Sequence, residues 1–166
     1  IRPIEVLPYK YERENYFGTC FIAEGITTFY GDWMLYRAGI LNGDQYQKEL
    51  ETTLKRHFDF ADSSTQSLLE SSFDLWIDGY EQGAPNRTVS VYHKGAVAAL
   101  ILHHRLKAKV KHPFPLDLVM KQMWNTFGKS MKGYTYQDYQ NIVNQIADES
   151  FSPYFEEVIE GNTSLF

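Results

Sequence analysis

A sixteen-residue run at positions 16–31, YFGTCFIAEGITTFYG, contains a single charged side chain, that of Glu24. Its apolar residues recur at the three- and four-residue spacing of an α-helix, and small, hydroxyl or sulfur-bearing residues occupy the rest of its surface. A helix that is apolar nearly all round is buried by other helices or sheets. The run therefore predicts a buried helix over residues 12–38, which Gly39 ends. It also predicts that Glu24 is buried, so its carboxylate should be paired, protonated or bound to something.

The rest of the chain continues the helical pattern, and no alternating segment of useful length predicts a strand. EQGAPNRT, at residues 81–88, is the clearest predicted loop. With 166 residues, 43% of them apolar, the chain predicts one all-α, multi-helix domain over residues 1–166. Apolar spacing, capping residues and helix breakers predict the other helices at about 42–57, 65–80, 89–110 and 116–127, from Thr135 onward, and from Ser152 to Gly161.

Composition and spacing exclude several classes of function. The net charge of −5, without a basic block, argues against a nucleic-acid partner, and no apolar run is long enough to span a bilayer. Cys20 is the only cysteine, so an intrachain disulfide is excluded. The sequence contains no HExxH motif, and the adjacent His103 and His104 would point in different directions on a helix. Spacing therefore predicts no histidine metal site, and it assigns no role to His93 or to the His103–His104 pair.

Two residues are candidates for chemistry, each with a structural alternative. Glu24 is either a carboxylate paired with a lysine or arginine of another element, or a group that binds something. Gly25 beside it indicates a close approach by another element, because glycine inside a helix costs about 1 kcal/mol relative to alanine. Tyr92 follows the predicted loop near a helix N-terminus, where its phenol either faces a cleft or packs in the core. Spacing leaves both pairs of alternatives open.

Four segments, taken in order, resemble the catalytic domain of the glycyl aminopeptidase family: RPIEVLPYKYERENY, FIAEGITTFYGD, SLLESSFDLW and SVYHKG. These enzymes are zinc metallopeptidases of the gluzincin type and are related to the aminopeptidase N family. The resemblance implies that the chain is part of a zinc-dependent aminopeptidase, which hydrolyses N-terminal peptide bonds with a zinc-activated water.

The resemblance also implies roles for both candidate residues. In the family, zinc is held by two histidines of an HExxH helix and by the glutamate of an EG pair, whose position here is Glu24. A tyrosine in a Y-x-K-G segment helps to stabilise the tetrahedral intermediate, and its position here is Tyr92, 68 residues further along the chain. Glu24 is thus expected to be the third zinc ligand, and Tyr92 is expected to donate a hydrogen bond to the oxyanion.

By the same resemblance, HExxH is expected shortly before RPIEV, so the chain is interpreted as the helical part of the domain, truncated just after that helix. Zinc is expected in the full-length parent. The fragment itself is expected to be inactive and essentially metal-free, with Glu24 protonated or hydrogen-bonded locally. The expected partners are a peptide substrate, the missing N-terminal β-rich and HExxH-bearing part of the same chain, and a following PDZ domain.

Two other hypotheses remain open. The first is a non-catalytic helical interaction domain, or a pseudo-peptidase that has kept the fold, for which the preceding HExxH would be degenerate. The second is an exposed aromatic surface that docks on the missing half of the protein, which predicts self-association of the fragment. The sequence does not fix the peptide preference, the compartment or the oligomeric state.

Overall fold

A computed structural model describes residues 1–61, 66–78 and 88–162. These ranges are mostly helical, which confirms the all-α prediction. Five-residue π-helical turns continue two of the helices, at Trp124–Gly128 and Phe155–Ile159. The α-helices are α1 (Cys20–Arg37), α2 (Gly43–Ala61), α3 (Leu68–Phe73), α4 (Leu75–Asp78), α5 (His93–Lys107), α6 (Pro115–Met123), α7 (Tyr136–Ala147) and α8 (Ser152–Tyr154).

Sequence periodicity missed one element, a parallel pair of two-residue strands. Strand β1 (Arg2–Pro3) pairs with β2 (Gly133–Tyr134), and a short 3₁₀ turn at Ile4–Val6 follows β1. Two residues are too few to show an alternating pattern, so nothing in the sequence indicates them. The pair ties the start of the chain to the segment before α7.

The first helix begins at Cys20, not at residue 12 as predicted. The side chain of Asn15 explains the difference, because it bonds to the backbone and competes with helix formation. Its Nδ2 donates to the carbonyls of Lys10 and Arg13 at 2.7 and 3.0 Å, and its Oδ1 accepts from the Lys10 N–H at 3.0 Å. The predicted end is confirmed, since Gly39 follows the helix with a φ of +72°.

The helix predicted over 65–80 is divided in the structure. It begins after Ser67, whose hydroxyl accepts from the Glu70 N–H while the Glu70 carboxylate accepts from the Ser67 N–H, and α3 ends before Asp74. The capping box fixes this start one turn inside the predicted range. Residues 62–65 and 79–87, which include most of the predicted loop, lie outside the described residues.

Other predicted boundaries moved by a few residues. α2 continues to Ala61, beyond the predicted end at His57, and α5 begins at His93 instead of residue 89. The helix predicted after Thr135 is confirmed, together with its capping box to Asp138. Within the described ranges, no helix is both long enough and apolar enough to cross a membrane.

A polar network joins the end of α1 to the start of α6. The Tyr30 hydroxyl donates to Asp117 Oδ1 at 2.7 Å, and Arg37 Nη1 donates to Asp117 Oδ2 at 2.8 Å. The Arg37 guanidinium also lies 4.1 Å from the centre of the Phe114 ring. These contacts hold the far end of α1 against the core. The largest side chains fully buried in that core include Leu68, Leu102, Leu106, Leu116, Met123, Phe155 and Ile159.

The second helix runs back along α1 and covers its partly exposed side. At its start, the Tyr46 ring stacks on Tyr36 of α1 with 5.0 Å between centroids, and it lies 5.4 Å from the ring of Trp33. At its other end, Arg56 reaches the first residue of α5. α2 therefore spans from the C-terminal end of α1 to the N-terminal end of α5.

Candidate functional site

The backbones of α1 and α5 are in direct contact at Gly25 and Gly95. A Cβ built on Gly25 would lie 2.5 Å from the Cα and the carbonyl carbon of Gly95, and a Cβ on Gly95 would lie 2.8 Å from the Gly25 Cα. Real Cβ atoms do not approach backbone atoms so closely, so glycine is required at both positions. The crossing confirms that another element approaches Gly25, and it identifies α5 as that element.

This crossing brings the two predicted site residues together. Glu24 precedes Gly25 directly, and Tyr92 precedes Gly95 by about one helical turn. From the spacing of Cα atoms along a chain and along a helix, the Glu24 and Tyr92 backbones lie within about 14 Å of each other. That separation is small enough for two long side chains to approach one substrate between them.

Two adjacent serines of α3 hold the beginnings of both site elements. The Ser72 hydroxyl accepts from the Phe21 N–H at 3.0 Å and donates to the Leu68 carbonyl at 2.8 Å. The Ser71 hydroxyl accepts from the Val89 N–H at 3.0 Å, in the segment that leads to α5. Both serines are buried. We call this pair the α3 serine clamp; it fixes the start of α1 relative to the chain just before Tyr92.

Glu24 is half-buried, which corrects the prediction that it is buried. It shares a partly exposed stripe of α1 with Thr28 and Asp32, at a spacing of four residues. The Thr28 hydroxyl donates to the Glu24 carbonyl at 2.7 Å and the Thr27 hydroxyl donates to a carbonyl one turn earlier, so both satisfy themselves on their own helix. The buried residues of α1 border this stripe and are Cys20, Phe21, Ile22, Gly25, Ile26 and Phe29.

In the part of the chain that the structure describes, the Glu24 carboxylate forms no ion pair and accepts no hydrogen bond. The lysine or arginine partner of the structural alternative is therefore not found there, and neither is the local hydrogen-bonding partner expected of a metal-free fragment. A half-buried carboxylate tolerates this state because water still reaches it. It is available to a cation.

The environment of Cys20 excludes thiolate chemistry beside Glu24. Cys20 is buried one turn before Glu24, and burial, followed by the nearby Glu24 charge, raises its pKa to about 12. A protonated thiol is neither a nucleophile nor a good metal ligand. Among the described residues, no group of three or more histidine, cysteine, aspartate or glutamate side chains is placed to hold a metal ion. Within the described ranges, Glu24 is therefore not part of a cluster of three such side chains.

Tyr92 lies immediately before the first residue of α5, as the sequence predicted. It is half-buried and packs against the core, while its carbonyl accepts from the Ala96 N–H at 2.8 Å. Ser90 caps the same turn, because its hydroxyl accepts from the His93 N–H at 3.2 Å and its carbonyl accepts from the Lys94 N–H at 3.0 Å. The backbone around Tyr92 is thus fixed by hydrogen bonds before α5 begins.

Three basic side chains surround this end of α5, and sequence reasoning gave none of them a role. Lys94 is only 3% exposed, and burial lowers its pKa. Half-buried His93 lies with its Nε2 3.5 Å from Nη1 of Arg56, and its pKa is lowered by burial and then by the Arg56 charge. No local signal connects Arg56 with His93, since they lie 37 residues apart on different helices.

A narrow cleft between α1, α2 and α5 begins one turn beyond Glu24. Its volume of about 20 Å³ is enough for one water molecule. Thr28 and Asp32 line it from α1, while Thr53 and Ala96 belong to the α2 and α5 walls. The cleft shows that α2 packs beside α1 and α5 one turn beyond Glu24.

Among the described residues, two histidines are buried, His103 and His57. His103 is buried with its ring centre 6.1 and 5.9 Å from those of Phe29 and Trp33, and its ring is nearly perpendicular to that of His104. His57, at the predicted end of α2, is also buried, and α2 continues past it to Ala61.

Comparison with known proteins gives two matches. Residues 1–98 match the family described as M61 glycyl aminopeptidase, a range that includes both Glu24 and Tyr92. The whole chain also superposes on the crystal structure of an aminopeptidase N family protein from Idiomarina loihiensis, with a TM-score of 0.92 and 35% sequence identity. The chain covers 29% of the length of that protein. No curated protein sequence matches. Because the family match spans more than half of the 166 residues, this chain belongs to the M61 glycyl aminopeptidase family.

Proposed function

We propose that the chain is the helical part of the catalytic domain of a zinc-dependent aminopeptidase, in which Glu24 is the third metal ligand and Tyr92 donates to the oxyanion. The contact between Gly25 and Gly95 carries this proposal, because it holds the two residues on neighbouring turns of two helices. Membership of a peptidase family supports the same class of reaction.

The residues present fit one position of a zinc site. Glu24 is half-buried beside a tightly packed helix pair, and its carboxylate has no cationic partner within the described ranges. A catalytic zinc site needs three protein ligands, so two more must come from elsewhere. We propose that they are the histidines of an HExxH helix in the preceding part of the complete protein. Zinc, when bound, supplies a Lewis acid that polarises the scissile carbonyl.

Tyr92 is suited to stabilise negative charge on the scissile oxygen. Its phenol is a neutral hydrogen-bond donor, and it lies at the N-terminal end of α5, where the helix dipole is positive. Removing a single oxyanion donor typically costs about 10²- to 10³-fold in rate. The serine clamp and the glycine crossing supply the rigidity that such a donor needs.

The metal-ligand assignment is tested by Glu24→Gln in the complete protein. Glutamine keeps the size of the side chain but removes its charge, so zinc content measured by atomic absorption and hydrolysis of a glycyl anilide should both fall steeply. Glu49→Gln, on the exposed side of α2, makes the same chemical change and should alter neither. Full zinc content and full activity in Glu24→Gln would refute the assignment.

The role of the phenol is tested by Tyr92→Phe. Turnover should fall by about 10²- to 10³-fold while zinc content is unchanged, because only the hydroxyl is lost. Tyr11→Phe is the matched control, since Tyr11 is 87% exposed. Loss of the metal as well would show that Tyr92 has a different role, in holding the site together.

One observation favours the alternative, a non-catalytic interaction domain or pseudo-peptidase. Tyr16 and Phe73 stack with 5.2 Å between ring centres, although they remain 39% and 50% exposed, and Trp76 nearby in sequence is 45% exposed. Such apolar surface suits a protein interface. We propose that the remainder of the same chain, including a β-rich N-terminal part and a PDZ domain, supplies the partners. The sequence before Ile1 discriminates: an intact HExxH supports the enzyme, and a degenerate one supports the alternative.

A further inference from the structure

Arg56 and His93 contact each other, and no carboxylate of the described residues pairs with Arg56. Nη1 of Arg56 lies 3.5 Å from Nε2 of His93, and the guanidinium makes no ion pair within the described residues. Arginine carries five N–H donors in a planar fork, so at most one or two of them can use the imidazole nitrogen. Arg56 is exposed, so water reaches its remaining donors beside the half-buried histidine. A carboxylate is the group whose two oxygens match that fork.

The position of this pair fixes which end of a substrate it meets. His93 directly follows Tyr92, so their Cα atoms are about 3.8 Å apart. Arg56 and the N-terminal end of α5 make this side of the site electropositive. An aminopeptidase substrate carries a positively charged α-amino group, which this side repels. A substrate contact made by this pair would therefore be with the leaving-group side of the scissile bond.

We propose that Arg56 and His93 form a subsite for a carboxylate on the leaving-group side, so that the enzyme prefers short peptides whose C-terminal carboxylate reaches the pair. This inference rests on the proposed function and adds a substrate class to it. An extended peptide advances about 3.3–3.6 Å per residue, so the C-terminal carboxylate of a dipeptide or tripeptide follows the scissile carbonyl by only one or two residues. The carboxylate supplies the acceptor that the Arg56 fork lacks.

The test compares three substrates in the complete zinc-loaded protein: Gly-Leu, Gly-Leu-amide and Gly-Asp-amide. We expect Gly-Leu to be preferred over its amide by about tenfold or more in kcat/KM, mainly through KM, because a hydrogen-bonded charge pair is lost with the amide. Arg56→Gln should abolish this preference. Lys55→Gln, the adjacent exposed residue of α2, makes a matched charge change and should retain it. If kcat/KM for Gly-Asp-amide exceeds that for Gly-Leu-amide, and Arg56→Gln removes the difference, the subsite accepts a side-chain carboxylate too.

Either of two results overturns the inference: equal hydrolysis of Gly-Leu and its amide by the wild-type protein, or an unchanged preference in Arg56→Gln. Glycyl p-nitroanilide, which has no carboxylate, separates this failure from failure of the proposed function. If the anilide is hydrolysed but Gly-Leu and Gly-Leu-amide are hydrolysed equally well, only the subsite is refuted. No hydrolysis of the anilide refutes the proposed function, and the subsite with it.

A binding measurement without turnover completes the test. In the zinc-free complete protein, the imidazole resonance of His93 should shift on addition of Gly-Leu and remain unchanged on addition of Gly-Leu-amide. The shift should be lost in Arg56→Gln and retained in Lys55→Gln. An unchanged His93 resonance with Gly-Leu at saturating concentration would contradict a carboxylate at this pair.

Discussion

Gly25→Ala is the substitution that best tests the architecture of the site. Alanine in a helix interior normally gains about 1 kcal/mol over glycine. Here the added Cβ would lie 2.5 Å from the Gly95 Cα, whereas an ordinary carbon–carbon contact is about 3.5–4.0 Å. The helices must therefore separate by about 1 Å, and overpacking of this kind costs about 1–3 kcal/mol. Because the obstructing atoms are backbone, no change of rotamer relieves the clash.

Gly31→Ala is the matched control for this substitution. Gly31 lies on the same helix, and a Cβ there would meet nothing within 4 Å. The gain in helix propensity is common to both variants, so the difference between their free energies of unfolding isolates the steric cost. Chemical denaturation of the complete protein should give a difference of about 1–3 kcal/mol, with Gly25→Ala the less stable.

The same displacement should affect catalysis more than stability. A misplacement of about 1 Å between catalytic groups can cost about 10²-fold in rate. Hydrolysis of a glycyl anilide by Gly25→Ala is thus expected to fall by about that factor, while Gly31→Ala keeps the wild-type rate. If Gly25→Ala were as stable and as active as Gly31→Ala, the contact with Gly95 would not position the site, and the reasoning would be refuted.

Three further predictions concern the clamp and the buried titratable groups. Ser72→Ala removes the acceptor of the Phe21 N–H and should lower the free energy of unfolding by about 1–3 kcal/mol. Ser130→Ala, at an exposed position, should change it by less than about 0.5 kcal/mol. Equal losses of stability in the two variants would contradict the clamp. Burial lowers the pKa of His103 below 6.5, so the unfolded chain binds more protons than the native protein. The free energy of unfolding, measured by denaturation from about pH 7 to pH 5, should therefore fall as the pH drops through about 6.5. His103→Gln should make that fall smaller. With its pKa raised to about 12, Cys20 should resist iodoacetamide at about pH 8 until the protein is denatured, and rapid labelling of the native protein would contradict its burial.

The helical fold was predictable because its signals are local. Gly39 ends α1 through its own positive φ, and Thr135 caps α7 through a residue three positions away. The starts of some helices were predicted wrongly, because side chains hydrogen-bond to the backbone there, as Asn15 does before α1. Ser67 shows the same effect, because its capping box sets the start of α3 inside the predicted helix. Apolar periodicity carries no information about such bonds.

The candidate site was only partly predictable, because its geometry depends on which helices meet. Gly25 indicated a close approach, but only the structure identifies Gly95 as the other side of the contact. Glu24 was expected to be buried because α1 has few charges, yet the threonines beside it satisfy their hydroxyls on their own helix and tolerate partial exposure. The contact between Arg56 and His93 joins two helices, and neither residue carries a sequence signal for it.

The physical argument for Glu24 now rests on position and no longer on burial. A structural acid at a helix interface would be expected to pair with a base, whereas a simple surface acid has no need of a rigid glycine crossing beside it. Glu24 has the crossing and no partner among the described residues.

The substitutions Gly25→Ala and Glu24→Gln together decide what the crossing is for. If Gly25→Ala destabilises the protein while Glu24→Gln leaves zinc content and hydrolysis unchanged, the crossing serves packing alone, and the interaction-domain hypothesis accounts for the chain. If both substitutions abolish hydrolysis and only Glu24→Gln removes the metal, the crossing positions a ligand that the rest of the protein completes.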